Sequence, residues 1–81
     1  MLGIDLYNLY TKKLGNCKDV LSTKEVVEII GISQKFIFKE IRTGHLKSFL
    51  INRKRHFTKI HLIEYLCSEH YQENPQLKRK F

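Results

Sequence analysis

The sequence predicts a mainly helical domain with one small β-hairpin, preceded by an N-terminal amphipathic helix. Three observations point there. A Ser-Thr-Lys-Glu box at 22–25 leads into an apolar run that stops at Gly31, and a second helical pattern begins three residues later. A β-type run at 47–51 meets a short basic turn and a brief return segment. At 81 residues there is room for one core and no second one.

The first helix is expected over residues 4–14. Leu2, Leu6, Leu9, Tyr10 and Leu14 fall near a helical spacing, with Asn8, Lys12 and Lys13 off that stripe. Gly15-Asn16 is a helix stop. The stripe is expected to cover this domain's own core, self-association being the other use for it. In the box at 22–25, the Ser22 hydroxyl can accept from the N–H of Glu25 while the Glu25 carboxylate reaches back. Val26, Val27, Ile29 and Ile30 follow on one face; β-branched residues are poor helix formers, so packing must hold this helix.

Ser33 is the expected N-cap of the next helix, residues 34–43, and Gly44 suits its C′ position. Ile37 and Ile41 lie four apart on the inward side; Lys35, Lys39 and Arg42 make an outward stripe. The run at 47–51, a turn at 52–54 and a return at 55–57 form the hairpin, Asn52 being tolerant of positive φ. Thr58 then caps a last helix over 59–71, and Pro75 ends ordered structure. The organisation expected is an N-terminal helix and linker (1–20), a helical domain with the hairpin (21–72) and a flexible basic tail (73–81).

Composition narrows the function. The chain carries a formal net charge of +7 with 42% hydrophobic residues, enough to fold and too basic in one place to be incidental. Residues 1–32 and 60–81 each sum to zero, whereas 33–59 holds eight bases against Glu40 alone. A concentrated positive charge is the footprint of a polyanionic partner. No apolar run approaches the roughly 18 residues that span a bilayer. With no basic region ahead of the short N-terminal apolar start, a cytoplasmic location is expected.

Cys17 and Cys67 do not make a disulfide framework. Cys67 and His70 have a metal-ligand spacing, but no second pair completes a four-ligand structural zinc site, so neither a metal nor a cofactor is expected. Catalysis is not expected either: there is no Gly-rich phosphate loop and no nucleophile and base that the sequence places together.

The two basic features fit double-stranded DNA. A helix-turn-helix offers its second helix to the major groove, so Ser33, Gln34, Lys35, Lys39 and Arg42 are the candidate contacts there. Gln34 can pair with adenine, and Arg42 with guanine or a phosphate. Asn52, Arg53, Lys54 and Arg55 form a cationic tip suited to a narrow minor groove. Phe36 lies beside the basic stripe and is expected to pack under the N-terminal helix rather than to meet a thymine methyl.

From Leu21 to Leu66 the chain resembles the excisionase-type branch of the MerR-like winged helix-turn-helix domains. The residues that carry this are Leu-Ser-Thr-Lys-Glu-Val-Val-Glu-Ile-Ile-Gly-Ile-Ser, then Phe-Ile-Phe-Lys-Glu-Ile-Arg-Thr-Gly-His-Leu, then Ile-Asn-Arg-Lys-Arg-His-Phe-Thr and Leu-Ile-Glu-Tyr-Leu. The resemblance implies a winged helix-turn-helix and a DNA-bending or DNA-coating accessory factor that directs an integrase toward excision of a mobile element or prophage. An integrase and further copies on DNA are the partners it implies. The chain departs from that pattern at Phe36, Asn52, Arg55 and His61. Small transcriptional regulators and terminase-type DNA-recognition subunits share the architecture, and a protein-interaction module such as an antirepressor is an alternative of another class.

Overall fold

Two capped helices and the hairpin that follows them set the frame of this protein. The computed structural model describes the backbone of residues 2–77 and the side chains of residues 5–77. Helix α1 spans Leu2–Lys13, starting earlier than the spacing predicts. Strand β1 (Val20–Ser22) leads directly into α2 (Thr23–Ile30), and α3 covers Gln34–Arg42. Strands β2 (Phe49–Ile51) and β3 (Lys54–Thr58) form the hairpin, followed by α4 (Lys59–Cys67), α5 (Glu69–Gln72) and a 3₁₀ turn at Pro75–Leu77.

Local chemistry explains most of these limits. The capping box forms as expected: Ser22 Oγ accepts from the Glu25 N–H at 3.2 Å and the Ser22 N–H donates to Glu25 Oε1 at 3.0 Å. Lys18 adds an ion pair to Glu25 at 3.1 Å. Gly31 ends α2 at φ 72°, a left-handed position that glycine adopts without a Cβ penalty, and its N–H donates to Val27 O. Ser33 caps α3 through the Phe36 N–H, and Gly44 follows its end at φ 84°.

The sheet has one more strand than the sequence predicts. β1 pairs antiparallel with β3, and β3 with β2, in the order β1-β3-β2. Leu21 stands opposite Phe57, and both are buried. β1 had no alternation long enough to read; it exists because β3 offers it an edge. Thr23 Oγ1 donates to Arg55 O, which ties the start of α2 to the hairpin.

The core lies between the helices and the inner face of this sheet. Val26, Ile30, Ile37, Leu46, Phe57, Leu62, Tyr65, Leu66 and Tyr71 are all buried in it. α1 packs on α4 and places Tyr10 and Leu14 in the same core, so the N-terminal helix covers its own domain as expected. Leu9, on the same stripe, is exposed.

Two expectations at the C-terminal end are corrected. The helix expected over 59–71 breaks at Ser68, whose ψ of 153° is extended. Ser68 Oγ donates to Tyr65 O and accepts from the Tyr71 N–H, closing one helix and capping the next. Order also continues past Pro75, because Leu77 is buried in the core. Residues 78–81, the remainder of the expected tail, lie outside the described residues.

Candidate nucleic-acid interface

α3 owes its outward face to its inward one. Ile37 is fully buried and Ile41 half-buried, which turns Gln34, Lys35, Lys39 and Arg42 to solvent. Ser33 is exposed as well, but its hydroxyl serves as the cap of α3. The hairpin turn is tight: Ile51 pairs with Lys54, leaving only Asn52 and Arg53 between the strands. Both have positive φ, 52° and 67°, the pattern of a type I′ turn. Asn52, Arg53, Lys54 and Arg55 are all exposed, and the Arg55 guanidinium donates to Ser48 Oγ at 3.2 Å.

A groove of about 410 Å³ runs between α3 and the hairpin. Gln34 and Phe38 of α3 line one side, and Arg53, Lys54, Arg55 and His56 of the hairpin the other. Ser22, Thr23 and Lys24 at the start of α2 close its end. The fold therefore brings Gln34 together with three of the hairpin residues. Lys35, Lys39, Arg42 and Asn52 do not line this groove.

Thr23, Lys24, Phe38 and His56 were not among the sequence candidates. Phe38 had a signal, since it lies four residues from Gln34 and shares its side of the helix. Lys24 had none: it sits in the segment whose charge sums to zero, and only the β1–β3 pairing carries it to the groove.

Phe36 is half-buried, as a packed residue should be. It lines a smaller cavity with Ile32, Ser33, Gln76 and Leu77, and among the described residues none of α1 lines that cavity. Lys39 Nζ stands 5.3 Å from the centre of its ring, within cation–π range.

The electrostatics of this face follow from one burial. Glu40, the only acid among residues 33–59, is 2% exposed. Its Oε2 accepts from the Tyr65 hydroxyl at 2.6 Å and bonds His70 Nε2 at 2.7 Å. The acid is thus withdrawn to the opposite side of α3, and the outer surface of this segment carries cations alone. Among the described residues, none of Lys35, Lys39, Arg42, Arg53, Lys54 or Arg55 is ion-paired with a carboxylate. His70, three residues beyond Cys67, is half-buried against Glu40. Cys17 and Cys67 are free thiols, and burial pushes that of Cys67 up.

Comparison with protein-family models, curated proteins and solved structures returns no match. No helix among the described residues is long and apolar enough to cross a membrane.

Proposed function

We propose that this protein is a sequence-specific DNA-binding accessory factor built as a winged helix-turn-helix, with α2 and α3 as the helix pair and the β2–β3 hairpin as the wing. One observation carries this: the hairpin cations Arg53, Lys54 and Arg55 line a groove whose other wall is α3, and the cations of α3 stand exposed on that helix outside the groove, none of either set ion-paired with a carboxylate among the described residues. A groove so placed seats one sugar–phosphate strand of a duplex. α3 then lies in the major groove on one side of that strand, and the hairpin reaches the minor groove on the other. The major groove, about 12 Å wide, admits a helix, and a narrow minor groove attracts arginine.

On this proposal Gln34 and Arg42 read base edges while Lys35 and Lys39 hold phosphates. The protein acts by shaping or coating DNA without cutting it. The resemblance to excisionases adds the purpose, directing an integrase toward excision of a mobile element or prophage.

The test is selection of bound fragments from genomic DNA, followed by a salt titration of the best site. Sites clustered at an attachment region support the excisionase role; a lone promoter operator replaces it with that of a transcriptional regulator. About five phosphate contacts correspond to a log–log salt slope near −4.5. A flat salt response would remove DNA as the partner and favour a protein-interaction module.

A further inference from the structure

We propose that Glu40, His45 and His70 form a binding site for one divalent transition-metal ion of the zinc type. The site lies on the side of α3 away from the basic groove and does not depend on DNA being the partner.

The carboxylate is held unevenly. Both close partners of Glu40, the Tyr65 hydroxyl and His70 Nε2, meet the same oxygen, Oε2. Oε1 faces His45 Nδ1 at 3.8 Å, which is beyond hydrogen-bond reach. A buried carboxylate thus directs its less engaged oxygen at an imidazole nitrogen. One ligand atom from each of the three residues lies within 4.8 Å of the other two. Around a tetrahedral ion with bonds of about 2.0–2.2 Å, neighbouring ligand atoms are roughly 3.4 Å apart. The donor atoms are thus close to the spacing that an ion requires, and reach it by local movement of the rings.

The shifts required can be named. The His45 and His70 rings are stacked, 3.7 Å between centres and 2° from parallel. A ring nitrogen binds metal through a lone pair in its own plane, so the two rings must tilt out of the stack to share an ion. His45 lies beyond the end of α3 with its side chain 41% exposed, and it is the ring with room to move. It exchanges its contact with Thr43 Oγ1, 2.9 Å from Nδ1, for the ion. To bind the ion, His70 gives up the Nε2 proton that it shares with Glu40 Oε2 and becomes the tautomer that carries its proton on Nδ1.

Three features of the surroundings favour a cation here. Glu40 is in the last turn of α3, where the helix dipole is negative. Tyr65 fixes the carboxylate from behind, as outer hydrogen bonds do at metal sites. The exposed edge of His45 leaves a path for the ion and a fourth position for water. These ligands come from α3, the segment after it and α5, so an ion there fastens the C-terminal helix to α3. Neither cysteine takes part.

The experiment is a Zn²⁺ titration of the metal-free full chain by calorimetry and thermal melting, with NMR of the imidazole protons. The expected result is one ion per chain and a higher melting temperature. Resonances of His45 and His70 should shift while those of His56 and His61 stay in place. His45→Ala, at an exposed position that leaves the fold intact, and His70→Ala should each weaken binding by about tenfold or more. Absence of a binding heat and of a melting shift overturns the proposal. So does binding that survives His45→Ala, or binding that is lost instead in Cys67→Ser.

Discussion

Tyr65 and Tyr71 are both buried, and their hydroxyls end in opposite circumstances. Tyr65 donates to the Glu40 carboxylate, whereas the Tyr71 hydroxyl has no hydrogen-bond partner among the described residues. Hydrogen bonds to charged groups contribute about 1.5–3 kcal/mol, so Tyr65→Phe is expected to lower the unfolding free energy by about 2 kcal/mol. Tyr71→Phe removes a hydroxyl that folding desolvates for no bond, and should leave stability unchanged or raise it by about 1 kcal/mol. Denaturant melts of the two variants distinguish these effects; equal losses would contradict the different surroundings. Burial, with the neighbouring Tyr10, pushes the Tyr71 phenol up to about 12. Burial also raises Tyr65, with the Glu40 hydrogen bond and charge adding to it. A phenol whose pKa is higher folded than unfolded stabilises the fold below its unfolded value of about 10, and that contribution is lost as pH rises through the folded value. Stability should therefore fall between about pH 10 and 12, and Tyr71→Phe should flatten part of that fall. An unchanged alkaline profile in the variant would show that Tyr71 is not a source of it.

At the scale of the element, the hairpin turn carries a residue that its geometry disfavours. Arg53 holds φ 67° where Asn-Gly is the preferred pair for such turns. An L-residue in the left-handed region costs roughly 1–2 kcal/mol relative to glycine. Arg53→Gly is expected to raise the unfolding free energy by about 1 kcal/mol and at the same time to weaken DNA binding. A variant that is more stable and binds equally well would show that the arginine is not kept for a partner. The same turn shows what sequence could and could not reveal. Asn52 announced its conformation, and so did the Ser22–Glu25 box and Gly31, because caps and turns are decided by a few neighbouring residues. β1 was illegible because three residues carry no alternation and their pairing comes from β3, far along the chain. The break at Ser68 was hidden for a different reason. Ile63, Cys67 and Tyr71, four apart in turn, keep an apolar spacing across it, and only the cap preference of serine marks the interruption.

For the whole molecule, the charge of +7 takes its meaning from where each residue ends up. The basic candidates were legible because long cations off an apolar stripe must face solvent, and all six on α3 and the hairpin do. What sequence left unseen is which of them share a surface. Gln34 meets Arg53, Lys54 and Arg55 across one groove, while Lys35, Lys39 and Arg42 lie outside it. Glu40 was equally hidden: a lone acid in a basic stretch looks like a surface charge, and its burial depends on Tyr65 and His70, both distant in the chain. The two cationic sets should therefore act on different parts of a duplex and be separable by mutation. Lys39→Ala and Arg42→Ala are expected to weaken binding without lowering the melting temperature, since both side chains are exposed. Neutralising Arg53, Lys54 and Arg55 together should take up to about 2.7 off the magnitude of the salt slope, at roughly 0.9 per lost phosphate contact. On the proposed docking, with the hairpin in the minor groove, only the hairpin variant should also lose preference among A·T-rich sites, since arginine favours a narrow minor groove. The measurement is a salt titration of each variant on one site and on its G·C-substituted counterpart. Identical changes from the helix and hairpin variants would mean that both sets contact the backbone alone, and the hairpin would then have no part in choosing the site.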